Sequence, residues 1–275
     1  MNWMICIVGL CLSFLAYIRT DFFSNHSIVD SLPSSVSVSP SEESFRALLQ
    51  PYRYLGKGRQ CYVFVSEDGK SVIKFFNQKY ITLPWYGKWL QGERSKREQR
   101  QKFARESYSI AWDEDSEILY VHLGKSEKPL PFLPITDKAS RFFWIDLNAV
   151  SFVLQKKGEP FYPALESMYL SKGSDGLKEG IRQFVTLIAH RIEKKIADAD
   201  QDVEHNFGVI DGKIFHLDPG RLFFEENLWQ PDMLRQEWWR ATHRFRRWLL
   251  QKYPDFVSFL DSAIETEMTH VSYSL

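Results

Sequence analysis

Acidic residues recur at short intervals in the stretch "ADADQDVEHN", residues 197–206. A hydrophobic run follows and ends in "HLDPG", which adds a further carboxylate at the far end of a short predicted β-hairpin. Carboxylate oxygens are the groups that hard cations such as Mg²⁺ accept. The pattern indicates a place to hold a metal ion, and whether that ion would carry a nucleotide depends on the residues upstream.

Two glycines lie upstream in "YRYLGKGRQCYVFVSEDGKSVIKFF". The runs "CYVFV" and "SVIKFF" are rich in β-branched and aromatic residues, and "SEDGK" between them has the composition of a hairpin turn. Gly56 and Gly58 fall on the turn between the first two extended runs. Because glycine has no Cβ, backbone N–H groups there can approach phosphate oxygens closely.

This region resembles the glycine-rich loop and the lysine-bearing strand of protein-kinase-like proteins. Gly56, Gly58 and Val63 match the glycine pattern, and Cys61 takes the place of the third glycine. Lys74 stands at the lysine position. The resemblance implies that its ammonium group pairs with the α- and β-phosphates of ATP.

In that family a carboxylate on a following helix orients the lysine. The segment "GERSKREQRQKFARESYSIAWDE" has the periodicity of a long charged helix, and Glu106 lies close to its apolar side. We select Glu106 as the orienting glutamate, with Glu98 and Glu93 as alternatives. Further on, "NAVSFVLQKKGEP" resembles the hinge between two lobes, and backbone groups of residues 153–155 are expected to bond an adenine ring.

The acid loop follows a predicted helix in "GLKEGIRQFVTLIAHRIEKKIADAD", the order in which kinase-like proteins place their catalytic loop. Asn206 resembles the asparagine that ends this loop and binds a metal ion. Asp218 resembles the aspartate of the Asp-Phe-Gly motif, with Pro219 in place of phenylalanine. The resemblance implies that Asn206 and Asp218 hold Mg²⁺.

One departure from the family concerns the catalytic base, because Gln201 occupies the position expected for the catalytic aspartate. The resemblance implies that Asp200 takes this role, supported by Asp198. Otherwise the site binds nucleotide without transferring phosphate. His205 and His216 lie on strand-forming sequence and are interpreted as structural.

A run of sixteen uncharged residues, Trp3–Ile18, lies near the N-terminus. It is slightly shorter than a spanning helix of about 17–25 residues, and no basic residue precedes it. We interpret residues 1–23 as an uncleaved membrane anchor rather than a signal peptide or a buried helix. Arg19 on its C-terminal flank favours a cytoplasmic domain, and the Ser- and Pro-rich residues 24–45 predict a flexible tether.

Composition narrows the class of protein. The chain has 275 residues, 44% of them hydrophobic, which suffices for a substantial core. With 35 basic and 35 acidic residues, nothing suggests a nucleic-acid binder held by bulk electrostatics. Of the three cysteines only Cys61 lies outside the apolar N-terminal run, which excludes a disulfide framework and a multi-cysteine zinc site in the predicted domain.

Together these features predict an α+β, bilobal, protein-kinase-like fold behind an N-terminal membrane anchor. A small antiparallel β N-lobe would cover residues 46–154, and a mainly helical C-lobe residues 155–275. The predicted function is a membrane-anchored phosphotransferase that moves the γ-phosphate of ATP to an unidentified hydroxyl group. The alternatives are a pseudokinase scaffold that binds nucleotide or partners, and a tethered α+β protein without a nucleotide site.

Overall fold

The computed structural model describes residues 7, 18–29, 36–37, 39–78, 91–112, 116–200 and 202–273. The chain forms two compact units. Unit 1 comprises Met1–Lys102 and Ile118–Lys157, and unit 2 comprises Phe103–Glu117 and Gly158–Leu275. The assignment of residues 46–154 and 155–275 to two functional lobes stays a prediction.

Unit 1 is built around a mixed sheet of seven strands in the order β5-β9-β4-β3-β2-β7-β8. Two short strands, β1 and β6, pair in parallel beside it. The strands of unit 1 are β1 (Val36–Ser37), β2 (Tyr52–Lys57), β3 (Cys61–Ser66), β4 (Ser71–Phe76), β5 (Ile118–His122), β6 (Lys125–Ser126), β7 (Phe132–Thr136), β8 (Phe142–Asp146) and β9 (Phe152–Lys156).

The turn between β3 and β4 forms as its composition predicts. Gly69 has a φ of +72°, a conformation that residues with a Cβ rarely adopt. Asp68 closes the turn, because its Oδ1 accepts hydrogen bonds from the Ser66 hydroxyl at 2.7 Å and from the Lys70 N–H at 3.0 Å. The predicted hairpin "SEDGK" is therefore confirmed.

The predicted small, wholly antiparallel sheet requires a correction. Strands β7 and β8 were not predicted, and β7 pairs with β2 in parallel. The residues between β5 and β9 supply this hairpin, which covers the edge of β2 that would otherwise expose unpaired backbone groups. The α+β class itself is confirmed.

One face of the sheet carries an aromatic core. Tyr62, Phe64, Phe75 and Phe152 are at most 1% exposed. The ring of Phe23 closes this cluster, with its centroid 5.2 Å from those of Tyr62 and Phe64 in edge-on geometry. Burying each such ring contributes about 1.5–3 kcal/mol, so this face anchors the residues that precede the sheet.

Part of the predicted tether has regular structure. Asn25–Ser27 form a 3-10 helix, and Ser27 and Ile28 are fully buried. Helix α1 (Glu42–Ala47) begins after Ser41, whose hydroxyl caps it by accepting the N–H of Ser44 at 3.2 Å. Residues 30–35 and 38 lie outside the described residues, so the tether as a whole stays a prediction.

In the part of the chain that the structure describes, no helix is both long enough and apolar enough to cross a membrane. The run Trp3–Ile18, predicted as the anchor, lies outside the described residues except for Ile7 and Ile18. The membrane anchor therefore stays a prediction.

Unit 2 is mainly helical. It contains the C-terminal part of helix α2 (Gln91–Trp112), a three-stranded sheet in the order β10-β12-β13 and an antiparallel pair of β11 with β14. Its other elements are α3 (Phe161–Glu193), α4 (Val203–Asn206), α5 (Pro231–Lys252), α6 (Val257–Tyr273), β10 (Glu159–Pro160), β11 (Ile196–Asp198), β12 (Phe207–Ile210), β13 (Lys213–His216) and β14 (Leu222–Phe224).

Helix α3 supplies the centre of the unit 2 core. Its residues Ile181, Phe184 and Ile188 recur at helical spacing and are fully buried, as their periodicity predicts. The ring of Phe184 packs 5.0 Å from those of Phe207 and Phe245, which lie on β12 and α5. These contacts pack α3 against the hairpin β12–β13. The acid loop follows α3 and β11 in the chain.

Candidate functional site

Lys74 lies in β4, in the middle of the unit 1 sheet. It pairs with Val63 of β3 on one side and Val153 of β9 on the other, and Val63 in turn pairs with Gly56 of β2. Directly paired residues of antiparallel strands point to the same face of a sheet. The glycine-bearing strand and the lysine therefore present one row of residues across one face of unit 1.

The glycine turn has the openness that a phosphate-binding backbone needs. The N–H of Gly58 donates to the carbonyl of Cys61 at 2.9 Å and closes the turn between β2 and β3. A Cβ added to Gly56 would meet no heavy atom within 4 Å. Gly56 itself lies in β2 and not on the turn as predicted, and the space that a side chain would occupy there is open.

The side chain of Lys74 is only 5% exposed. A lysine is rarely buried unless a charged or polar group accompanies it. Its predicted partner Glu106 belongs to unit 2 and has an exposed side chain. The Lys74–Glu106 pair stays a prediction.

The predicted hinge contacts require a correction. Residues 153–155 lie in β9, and β9 is paired with β4 on one side and β5 on the other. Its backbone N–H and C=O groups are therefore used by the sheet and are unavailable to an adenine ring. The composition of this segment could not show that it forms a strand paired on both sides.

In unit 2, the acid loop begins at Asp198, the last residue of β11. Its carboxylate is 8% exposed, and Oδ1 accepts the N–H of Asp200 at 2.8 Å. Asp200 repeats the motif, because its own Oδ1 accepts the N–H of Asp202 at 3.2 Å. Asp200 is half-buried, and its Oδ2 lies 3.9 Å from Nε of Arg221. Asp198 shapes the loop, whereas the side chains of Asp200 and Asp202 are both accessible to solvent.

A buried ion pair supports the base of the loop. Arg191 and Glu237 are 2.7 Å apart, with side chains 5% and 4% exposed. Glu237 also accepts the N–H of Asp198 at 3.0 Å, and Arg191 donates to the carbonyl of Ile196 at 3.0 Å. Burial raises the pKa of Asp198 to about 6, even though the nearby positive charge of Arg191 lowers it.

The two predicted metal ligands lie together. The carbonyl of Asn206 accepts the N–H of Leu217 at 2.9 Å and that of Asp218 at 3.2 Å. The side-chain NH₂ of Asn206 donates to the carbonyl of Asp200 at 3.4 Å, which leaves its amide oxygen as the group for a cation. An amide oxygen and a carboxylate next to an acid loop fit the hard ligands that Mg²⁺ requires.

Tyr108 of helix α2 holds Asp218. Its hydroxyl donates to Oδ1 of Asp218 at 2.8 Å, and its side chain is 1% exposed. The preceding residue, Ser107, donates to the carbonyl of Leu222 at 2.7 Å. Tyr108 is a site residue that the sequence patterns did not single out. The available signal was a hydroxyl-bearing ring next to Ser107, which bonds to the backbone of β14.

Of the two histidines near the loop, His216 lies in β13 as predicted, whereas His205 lies in the short helix α4 and not on a strand. Burial lowers the pKa of His216 to about 3, so its imidazole is neutral. His205 is exposed, and its Nδ1 lies 2.9 Å from Oδ2 of Asp202. Among the residues that the structure describes, no group of three or more His, Cys, Asp or Glu side chains is arranged to hold a metal ion.

Comparison with known proteins gives a partial picture. No protein family and no curated protein matches the sequence. The chain is similar to the solved structure of WbdD, at 15% identity and a TM-score of 0.41, over 78% of this chain and 45% of that one. Another structure of WbdD, described as a bifunctional kinase-methyltransferase, matches at 16% identity and a TM-score of 0.39, over 76% and 43% of the two chains.

The ROP18 kinase domain in complex with AMP-PNP and sucrose is also similar, at 16% identity and a TM-score of 0.36. This match covers 62% of the present chain and 51% of the ROP18 chain. The chain thus spans about half the length of these structures, and the predicted resemblance to kinase-like proteins is found again among them. At such low identities and TM-scores these matches carry no argument on ligand or activity, which are argued from the geometry of this chain alone.

Proposed function

We propose that the chain is a kinase-like protein that binds Mg-ATP and transfers its γ-phosphate to a hydroxyl group. The observation that carries the proposal is the arrangement in unit 2, where Asn206 is hydrogen-bonded both to Asp218 and to Asp200. The first bond joins the carbonyl of Asn206 to the N–H of Asp218, and the second joins the side-chain NH₂ of Asn206 to the carbonyl of Asp200, so the backbones that carry the proposed ligands and base are linked. Phosphoryl transfer requires these parts, because it depends mainly on positioning and on charge stabilisation.

Each residue has a role that its surroundings support. Asn206 and Asp218 would hold Mg²⁺, which neutralises charge on the phosphates when it is bound. Asp200 would accept the proton of the attacking hydroxyl group, and Asp198 would fix the backbone of Asp200 through its 2.8 Å hydrogen bond. Lys74 would bind the phosphates that the glycine turn covers.

A pseudokinase is the second candidate, and two observations favour it. Asp198 is buried and cannot reach a substrate, and the position expected for the base is Gln201. If Asp200 does not act as the base, the chain binds nucleotide without transferring phosphate. The proposed membrane anchor and cytoplasmic placement apply equally to both candidates, and the acceptor is an unidentified hydroxyl compound.

Two measurements on the purified full chain test the proposal. Thermal unfolding with Mg-ATP at a hundredfold excess over its Kd should show about 2.7 kcal/mol of stabilisation. Release or transfer of labelled γ-phosphate then separates the candidates. Binding with transfer supports the phosphotransferase, and binding without transfer supports the pseudokinase. The third alternative is a protein without a nucleotide site. It would be favoured if no nucleotide stabilises the chain and the Lys74→Ala variant behaves like wild type.

A further inference from the structure

The hairpin β7–β8 presents three large aromatic side chains to solvent. Phe132, Phe142 and Trp144 are 61%, 56% and 59% exposed. Residues that alternate with them point the other way, since Leu133 is 0% and Ile145 is 3% exposed. This strict alternation assigns the three aromatic residues to one outward face of the two strands, here called the aromatic face.

Two of the three aromatic side chains are in contact, and Phe132 pairs directly with Asp146 on the same face. Trp144 pairs directly with Pro134, which lies two residues after Phe132 on the same strand. The rings of Phe142 and Trp144 pack edge-on with their centroids 5.5 Å apart. Single exposed apolar residues are common, but a contiguous exposed patch of large apolar side chains marks a surface that contacts a partner or a membrane.

The apolar N-terminal run ends beside this hairpin. In the turn between β7 and β8, Lys138 lies 3.0 Å from the carboxylate of Asp21. From the same turn, Arg141 donates to the carbonyl of Phe23 at 3.1 Å. The N–H of Asp21 bonds the carbonyl of Ile18, the last residue of the run, at 3.0 Å. Ile18, the last residue of the run, therefore lies close in the chain to residues held at the turn of the hairpin that carries the aromatic face.

We propose that the aromatic face lies against the interfacial region of a lipid bilayer, so that unit 1 is held at the membrane at two points. The inference rests on the proposed membrane anchor and does not depend on the proposed kinase activity. Trp side chains favour the membrane–water interface, and Phe side chains accompany Trp on the buried face of interfacial helices. A segment anchored at one point would leave the domain free to rotate, whereas contact along the hairpin fixes its orientation.

Site-specific fluorescence on the full chain tests this contact. Cys6 and Cys11 are replaced by alanine, Cys61 is retained because it is buried, and an environment-sensitive fluorophore is attached at Trp144→Cys. A second label at Phe132→Cys examines the other strand. The control is Lys125→Cys, an exposed site in β6, which pairs with β1 outside the seven-stranded sheet.

Each protein is reconstituted into phosphatidylcholine–phosphatidylglycerol vesicles that carry nitroxide quenchers on their acyl chains. We expect quenching at both aromatic positions at least about twofold stronger than at the control position. Equal quenching at the three positions, in protein that is firmly bound to the vesicles, would overturn the inference and leave the anchor intact. A full chain that does not associate with vesicles would overturn both the anchor and the membrane contact. Protection of the aromatic labels by self-association in vesicle-free solution would instead assign the aromatic face to contact with a second copy of the chain.

Discussion

The hydroxyl group of Tyr108 donates a hydrogen bond to Oδ1 of Asp218 over 2.8 Å, from a side chain that is almost completely buried. The contact joins helix α2 to the predicted metal-binding aspartate. Ser107 adds a bond to the carbonyl of Leu222, and the ring of Phe103 packs 5.8 Å from that of Phe223. Three contacts therefore fix the end of α2 on the chain that follows Asp218, and one oxygen of Asp218 is oriented by them.

Replacing Tyr108 by phenylalanine removes only the hydroxyl group and keeps the ring packing. A hydrogen bond to a charged group contributes about 1.5–3 kcal/mol, and without it the carboxylate of Asp218 loses its fixed orientation. We expect the Mg²⁺ concentration needed for half-maximal nucleotide stabilisation to rise about tenfold. Thermal unfolding across a series of Mg²⁺ concentrations measures this. The control is Tyr169→Phe, whose half-buried ring contacts Tyr253 instead, and identical curves for the two variants would argue against the role of Tyr108.

Asp200→Asn should abolish phosphate transfer while leaving nucleotide binding unchanged. The amide keeps an oxygen that can accept the N–H of Asp202, so the loop retains its shape, but it cannot take up a proton. General-base catalysis contributes about 10²- to 10⁴-fold, and we expect a loss of that size in the transfer rate. Asp202→Asn is the matched control, two residues further on in the loop. Equal transfer rates in the two variants would remove Asp200 from the catalytic role.

The ion pair of Arg191 with Glu237 should dominate the stability of unit 2. Replacing Arg191 by methionine leaves the carboxylate of Glu237 buried without its partner, which typically costs about 3–5 kcal/mol. The exposed pair of Arg246 with Asp261 is the control, and Arg246→Gln should cost less than about 1 kcal/mol. Urea unfolding gives both values, and similar losses for the two variants would contradict the buried geometry.

The buried carboxyl group of Asp198 should make stability depend on pH. Burial raises its pKa to about 6, well above the ordinary value of an aspartate, so the folded chain keeps this proton over a range in which the unfolded chain has lost it. The stability that depends on this proton is present below about pH 4 and is lost as the pH rises to about 6.

Asp198→Asn cannot titrate, and its amide oxygen can still accept the N–H of Asp200. The unfolding free energy of the variant, measured relative to wild type, should therefore rise from pH 4 to pH 6 and then level off. His216 titrates in both proteins, so its contribution cancels in the difference. A difference that does not change with pH would show that Asp198 is not the buried acid described above.

Local patterns in the sequence predicted the elements that carry the site. The hairpin turn at Gly69, the buried stripe of α3 and the hairpin after Asn206 all follow from residue types that act over a few positions. The pairing of Asn206 with Asp218 was predicted from the resemblance, and the hydrogen bonds of the Asn206 carbonyl now bring these residues together.

Structural features that depend on contacts between distant parts of the chain were not predicted. Strands β7 and β8 exist because the edge of β2 must be covered, which no local pattern in residues 125–146 reveals. The role of Tyr108 depends on a partner 110 residues away in the chain. The burial of Asp198 likewise depends on α5, which supplies Glu237.

The central claim is that Lys74 and Asp218 serve the same bound nucleotide. An ATP analogue with a reactive acyl phosphate tests it, because a lysine amine near the phosphates attacks the acyl carbon, takes the tag and releases ATP. We predict that mass spectrometry of the labelled full chain finds the tag on Lys74 in the presence of Mg²⁺, that excess ATP prevents the labelling, and that Asp218→Asn strongly reduces it. Labelling of Lys74 that does not exceed that of the exposed turn residue Lys70, or that persists unchanged in Asp218→Asn, would contradict the account.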